Sequence, residues 1–197
     1  MKPINLLISL ILLGWLAGCA GNPTPAQHYT LPASVGPDII DSDQADQAAS
    51  HTLVLDSLEL ASFLDSEGIV LQRSDILMHR ASSHLWAEDL ERQLARGLRQ
   101  RLAERLPDTR VLGTAADAAD ALNLRVEVDQ FQGRYDGMAV AGGRWQLRGA
   151  DGELLVLEPF LVTVALERDG YPALVRALGR SWDQVAELMA ERIEALR

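Results

Sequence analysis

One cysteine lies in a sequence context that suits covalent lipid attachment. Cys19 is the single cysteine of a 197-residue chain and follows Leu16, Ala17 and Gly18. Small residues directly before a cysteine give the narrow backbone that lipoprotein signal peptidase recognises, and the modified thiol completes its substrate. The spacing therefore predicts cleavage before Cys19 and attachment of acyl chains to that residue.

The residues ahead of this cysteine have the composition of an export signal. Lys2 supplies a positive charge, and residues 4–17 are apolar with few interruptions, as in secretory signal peptides. This stretch is shorter than the roughly 20 residues that a membrane-spanning helix needs. We therefore expect residues 1–18 to be a lipoprotein signal peptide, and palmitate-like chains on Cys19 to hold the mature protein in a membrane.

The residue after the cysteine indicates the destination. In lipoproteins of this type an Asp there usually signals retention in the inner membrane, and this chain has Ala20. We expect a lipid anchor in the outer membrane, with the protein on its periplasmic face. Because no second cysteine exists, no internal disulfide can form in that oxidising compartment.

The charge balance argues against nucleic acid as a partner. Removal of residues 1–18 takes away one Lys and no acid, which leaves 17 Arg against 28 Asp and Glu and a formal charge of −11. Proteins that bind nucleic acid instead carry a basic surface for the phosphates.

The mature chain divides into a tether and one domain. Residues 19–51 are rich in Pro, Ser, Asp, Gln and Ala, which is typical of a flexible tether. A short strand near residues 28–31 could pair with the folded body. Residues 52–197 have the length of a single domain.

Two periodicities predict the elements of this domain. Alternation of apolar and polar residues indicates a strand at 122–128, with further strands at 53–60, 69–73, 76–80, 138–148 and 153–167. Asp151-Gly152 suits a hairpin turn, and Pro159 marks a bulge or sheet edge. Apolar residues recur every fourth position in a helix from about Ser83, at Trp86, Leu90, Leu94, Leu98, Leu102 and Leu106.

A second helix is predicted at the end of the chain. Pro172 fits a first helical position, and an apolar stripe follows at Val175, Leu178, Trp182, Val185, Met189 and Leu196. Strands, helix, strands and helix in this order predict an α/β sandwich with a mixed, partly antiparallel sheet covered by two amphipathic helices. The hairpin argues against an all-parallel sheet.

The sequence lacks the motifs of an enzyme. It has no nucleophile elbow, no zinc-protease motif and no glycine-rich phosphate loop, so we expect no catalytic residues, no metal and no cofactor beyond the lipid. His84 and Glu88 have the spacing of a shared helix face and could bind a metal, but an ion pair is the simpler interpretation. Ser82-Ser83 fits a helix start better than a hydrolase triad.

Two apolar features could serve binding. Trp86, Trp145 and Trp182 could line a lipid groove, although Trp86 and Trp182 lie on helix stripes and fit a core. Residues 137–141, with Met138 and Val140, form a small apolar run that could stay exposed for strand addition by a partner. An ordinary inner strand is the alternative.

An ordered set of motifs resembles a known family. Tyr29-Thr30-Leu31 follows the leader, and the later motifs cover nearly the whole mature chain. They are Phe63-Leu64-Asp65, Gly68-Ile69-Val70, residues 85–90, residues 125–131, residues 143–147 and residues 171–175. Together they resemble the ABC-type transport auxiliary lipoproteins.

The resemblance implies an accessory, non-enzymatic subunit of an intermembrane lipid transport system. An MCE-domain protein would be its docking partner, the membrane would hold it through the lipid, and a homo-oligomer is compatible with this role. Two other functions stay open: a lipid-binding carrier lipoprotein, and an assembly factor for an outer-membrane complex.

Overall fold

A computed structural model describes residues 25–33, 49–113 and 120–196. The predicted signal peptide and the lipidation motif at 16–19 lie outside these residues. The described parts form eight strands and two helices: β1 (Gln27–Tyr29), β2 (His51–Leu60), β3 (Gly68–Gln72), β4 (Met78–Trp86), α1 (Leu90–Arg105), β5 (Thr109–Leu112), β6 (Leu122–Gly133), β7 (Met138–Arg148), β8 (Leu154–Ala165) and α2 (Tyr171–Glu194).

All eight strands belong to one mixed sheet. β6 lies at its centre, because β7 pairs along one side while β2 and then β3 pair along the other. The parallel pairs are β1 with β4, β2 with β5, β6 with β2 and β6 with β3. The antiparallel pairs are β3 with β4, β6 with β7 and β7 with β8. The predicted mixed α/β fold is thereby confirmed, and Pro159 lies in an edge strand, β8.

The two helices pack together over the sheet. Trp182 of α2 is completely buried, and its indole Nε1 donates a hydrogen bond to the carbonyl oxygen of Leu94 in α1 at 3.1 Å. Phe131 and Phe160 of the sheet meet the same indole edge to face. The predicted stripes are buried, except that Leu196 lies beyond the end of α2 and is exposed.

The first helix begins seven residues later than predicted. Residues 82–86 belong to β4, and Asp89 caps α1 by accepting a hydrogen bond from the Arg92 amide at 3.0 Å. Trp86 lies four positions before Leu90 and therefore mimics the helical period, but its amide donates to the Glu67 carbonyl in a sheet contact. Its indole is buried all the same.

The predicted hairpin turn and the predicted strand at 76–80 differ in outcome. The hairpin turn at Asp151-Gly152 is confirmed: Gly152 has a φ of +84°, which glycine adopts without strain. The predicted strand at 76–80 is displaced, because Ile76 and Leu77 lie in the β3–β4 turn and the strand runs from Met78. Strand β5 was not predicted, since its four residues show no clear alternation.

Candidate functional site

The segment that follows Cys19 is docked on the domain. β1 lies parallel to β4, with Gln27 opposite His84 and Tyr29 opposite Trp86. Residues 27–32 are therefore part of the fold, and the short strand predicted near residues 28–31 is present as β1 and pairs with the folded body. Within the described residues, the chain enters the domain at Pro25, only six positions after Cys19.

Two buried polar side chains of α1 hold this segment. The side-chain oxygen of Gln93 accepts hydrogen bonds from the Leu31 amide at 3.0 Å and the Thr30 hydroxyl at 3.2 Å. Its amide nitrogen donates to the Glu88 carbonyl at 2.8 Å. Gln93 thus satisfies its own polar atoms while it fixes the backbone of the docked segment.

Arg101 fastens the end of the same segment. Its guanidinium donates to the carbonyl oxygens of Pro32 at 3.0 Å and Gly97 at 3.1 Å, and it pairs with Asp183 of α2 at 2.5 Å. The Arg101 side chain is 2% exposed. A buried guanidinium needs such partners because its charge is costly to remove from water. Arg101 therefore ties α1, α2 and the N-terminal segment together.

His84 belongs to this attachment and not to a metal site. It lies in β4, its Nδ1 is 2.9 Å from the Tyr29 hydroxyl, and its ring stacks on Tyr171 with centroids 3.8 Å apart. Burial raises the pKa of the Tyr171 phenol. The predicted helix face shared by His84 and Glu88 is wrong, because His84 lies in a strand.

Glu88 has a separate, structural role. Both of its carboxylate oxygens accept from Arg96, at 3.0 and 2.7 Å. The Arg96 hydrogen bond lowers the pKa of Glu88 below its ordinary value.

In the part of the chain that the structure describes, no group of three or more His, Cys, Asp or Glu residues could hold a metal ion. None of the described helices is long and apolar enough to cross a membrane.

The run around Met138 and Val140 does not offer a free strand edge. β7 pairs with β6 on one side and with β8 on the other, and Val140 is 0% exposed. The hypothesis of strand addition at this position is therefore wrong, and the alternative of an inner strand is correct. Met138 is partly exposed at the start of β7, but its backbone carbonyl accepts from the Arg134 amide.

A strand edge of the sheet lies beside β7, in β8. This strand pairs only with β7 among the described strands. Three of its side chains point away from the helices and are exposed: Leu155, Leu157 and Leu161, the last two by 61% and 64%. We call these three residues the leucine row. An apolar row beside an unpaired strand edge is typical of a surface that another chain covers.

The sequence contains a signal for the leucine row. Residues 154–157 read Leu-Leu-Val-Leu, so both faces of the strand are apolar, whereas the outer positions of β6 carry Arg125 and Glu127. From periodicity alone, such a run predicts a strand that is buried on both faces. Only the packing of α2 on the opposite face, against Val156, Phe160 and Val162, shows that the outer face of β8 is open.

The three tryptophans belong to the core. Trp86, Trp145 and Trp182 are each at most 5% exposed, although Trp86 and Trp145 each contribute to the wall of a surface groove. One cavity of about 390 Å³ has four acidic residues in its wall, Asp65, Glu67, Glu88 and Asp89, which does not suit an acyl chain. A second groove of about 330 Å³ runs between β8 and α2, where Glu158 pairs with Arg192.

Comparison with known proteins gives consistent matches over nearly this whole architecture. The family model described as "ABC-type transport auxiliary lipoprotein component" matches residues 29–190. The intermembrane transport lipoproteins PqiC of Escherichia coli K12 and Shigella flexneri are each 31% identical over 188 residues, which cover 92% of this chain and 94% of theirs.

Solved structures resemble the fold. The crystal structure of an uncharacterized protein aligns with a TM-score of 0.74 at 29% identity and covers 86% of this chain and 99% of its own. A crystal structure from Xanthomonas campestris aligns with a TM-score of 0.61 at 17% identity, over 85% and 92% of the two chains. The latter similarity concerns the fold alone.

Proposed function

Since the chain belongs to the family of ABC-type transport auxiliary lipoproteins, we propose that it is the accessory docking subunit of an intermembrane lipid transport system. In this proposal a lipid on Cys19 anchors the protein to the outer membrane, facing the periplasm. The docking partner is an MCE-domain protein that reaches it across the periplasm.

The docked N-terminal segment supports the anchoring half of the proposal. Gln93 and Arg101 hold residues 30–32 against α1, so a pull on Cys19 is transmitted to the core of the domain. The path from Cys19 to Pro25 is at most about 20 Å long when fully extended. A domain held this closely stays beside the membrane that carries its lipid.

The leucine row is the observation that supports the docking part of the proposal. Leu157 and Leu161 are exposed on an edge strand that pairs, among the described strands, with β7 alone. A partner strand could add to β8 by main-chain hydrogen bonds while its side chains cover the row. The acid-lined cavity does not suit a lipid, because a carrier needs an apolar enclosure for its cargo.

In-cell crosslinking tests the docking half. A photoreactive amino acid at Leu161 should capture an MCE-domain protein, whereas the same group at Gln100, on the outer surface of α1, should not. Capture of only an outer-membrane barrel protein at Leu161 would contradict the adaptor and favour an assembly factor. Capture of lipid without protein would favour a carrier.

Mass measurement and fractionation test the anchoring half. The mature chain should begin at Cys19 and carry acyl chains, and it should sediment with the outer membrane. The Ala20→Asp variant should keep the acyl chains and move to the inner membrane. An unmodified Cys19, or an outer-membrane location that Ala20→Asp does not change, would contradict this part of the proposal.

A further inference from the structure

One end of the sheet carries a compact group of exposed apolar side chains. Ile76, Leu77 and Met78 lie at the β3–β4 turn and are 89%, 58% and 38% exposed, and Tyr135 in the β6–β7 turn is 64% exposed. We call these four residues the apical tip. Their exposure is unusual for side chains of this size, because water contact with them is unfavourable.

The sheet topology brings the two turns to the same end. β3 runs parallel to β6, with Leu71 opposite Gly133, close to the last residue of each strand. The turns that follow therefore leave the sheet side by side. The pairing also separates the apical tip from the leucine row, because β3 and β4 lie on one side of β6 while β8 lies beyond β7 on the other.

Both turns are held by their own hydrogen bonds. The Arg73 amide donates to the Leu77 carbonyl at 2.7 Å, and the Ser74 hydroxyl accepts from the Leu77 amide at 3.2 Å. In the second turn the Arg134 amide donates to the Met138 carbonyl at 2.7 Å, and Arg134 pairs with Asp136. These bonds fix the turns in a shape that presents the apolar side chains outward.

The direction of β1 shows from which side the described chain enters the sheet. β1 is parallel to β4, and β4 starts at Met78 in the apical tip. The chain before Gln27 therefore comes from the side of the apical tip and runs away from it after Gln27. Cys19 lies eight positions before Gln27, within about 30 Å when fully extended, whereas the stretch of β4 from Met78 to His84 spans about 20 Å.

We propose that the apical tip is a membrane-contacting surface that inserts into the same lipid leaflet that holds the acylated Cys19. This inference rests on the proposed anchor. Three observations agree on which end of the domain faces the bilayer. The chain enters β1 from the side of the apical tip, the path from Cys19 is short, and the apical tip is apolar and exposed. The acyl chains supply the affinity, and the apical tip fixes the orientation.

The charges around the apical tip suit this contact. The chain has a net charge of −10, which an anionic leaflet would repel. The two turns and the strand ends beside the tip carry Arg73, Arg80 and Arg134 against Asp75 and Asp136, and Arg134 pairs with Asp136. Apolar side chains flanked by arginines are typical of surfaces that rest at the boundary between headgroups and acyl chains, about 5–10 Å deep.

Fluorescent labelling of the full lipidated chain tests the proposal. In that chain the Cys19 thiol is blocked by lipid, so an introduced cysteine is labelled alone. Leu77→Cys and Leu157→Cys form a matched pair, since their side chains are exposed by 58% and 61% at different places. Each variant carries an environment-sensitive fluorophore and is reconstituted in vesicles of phosphatidylethanolamine and phosphatidylglycerol, with or without bromine on the upper acyl carbons.

The expected result is a blue-shifted emission and loss of intensity in brominated vesicles for the label at position 77, with neither change at position 157. Equal behaviour of the two labels, whether both stay in water or both enter the lipid, would overturn the orientation. An Ile76→Cys variant should repeat the result for position 77, and cooperative urea unfolding of each labelled chain shows that it is folded.

Two further readouts separate this inference from the proposed function. The mass of the chain shows whether Cys19 carries lipid; an unmodified Cys19 would overturn the anchor and this inference together. A lipidated chain whose label at position 77 stays in water would overturn the inference and leave the anchor intact. A label that enters the lipid, in a chain whose leucine row captures no MCE-domain protein, supports this inference and contradicts only the adaptor.

Discussion

The guanidinium group of Arg101 donates a hydrogen bond to the carbonyl oxygen of Pro32 at 3.0 Å, although 69 positions separate the two residues. The same group pairs with Asp183 at 2.5 Å. The chain that follows Cys19 is thus fastened at Pro32 to α1 and, through Arg101, to α2. This contact makes the N-terminal segment a structural part of the protein.

Replacement of Arg101 should loosen this junction. Arg101→Met keeps much of the side-chain volume but removes the hydrogen bonds to Pro32 and leaves Asp183 without its cation. We expect the free energy of unfolding to fall by about 2–3 kcal/mol, less than for a fully buried pair because Asp183 is 28% exposed. Urea denaturation measures the change, and limited proteolysis should cleave residues 25–33 faster.

A matched variant isolates the segment from the ion pair. Gln93→Leu keeps Arg101 and Asp183 paired but removes the acceptor for the Leu31 amide, so it should also accelerate cleavage of residues 25–33. Faster proteolysis in neither variant would contradict the role of the two side chains as fasteners.

Gly143 should be intolerant of a side chain. A Cβ at this position of β7 would overlap the carbonyl oxygen of Glu127 in β6 and lie 3.0 Å from the Phe160 ring. Because strand backbone cannot move as a side-chain end does, we expect Gly143→Ala to cost about 3 kcal/mol or more. Gly152→Ala is the control: it meets nothing within 4 Å and should lose only about 1 kcal/mol, through its positive φ. Equal urea midpoints for the two variants would contradict the overlap.

The Glu88–Arg96 pair should make a small contribution that depends on pH. Arg96 lowers the pKa of Glu88 in the folded state, so the contribution is present above the ordinary pKa of a glutamate and is lost as the pH falls through the lower, folded value. Glu88→Gln should therefore lower the urea midpoint slightly at pH 7 and leave it unchanged at about pH 2. High salt should shrink the difference at pH 7, because the pair is exposed. A difference that persists in acid would contradict this assignment.

The leucine row should matter for docking and not for folding. Leu157→Glu and Leu161→Glu place a charge on exposed positions, so the free energy of unfolding should change by no more than about 0.5 kcal/mol. Binding to a purified MCE-domain partner should weaken strongly, because a glutamate in a covered apolar contact must lose its water. Gln100→Glu on α1 adds the same charge and should bind normally. Normal binding by both β8 variants would exclude the row as the docking surface.

Much of the fold is readable from the sequence because its faces are strongly patterned. The four-residue spacing from Leu90 to Leu102 and the stripe from Val175 to Met189 identify both helices, and alternation identifies β6. The helix start was misplaced because Trp86 continues the helical spacing by coincidence. The backbone of residues 84–86 pairs with β1 instead, and Leu85 also pairs with Gly68 of β3. Such long-range hydrogen bonds override a local period.

The candidate surfaces were less predictable. Val140 lies in an apolar run that appears suited to strand addition, but the pairing of β7 on both sides closes it. The leucine row and the apical tip were missed because an exposed leucine and a buried one have the same local sequence. Their exposure depends on which face of the sheet the helices cover and on which turns share an end of the sheet.

The sequence by itself determined the lipidation motif as a prediction, the mixed α/β class, the two helices and the family, since these depend on local spacing and on an ordered set of motifs. The tertiary structure alone decided how the segment after Pro25 docks on β4 and α1, that β8 lies at an edge of the sheet and that Ile76 and Tyr135 share one end. The physical reason is that pairing in this sheet joins residues far apart in the chain, such as Gln27 with His84 and Leu71 with Gly133. No local pattern encodes those partners.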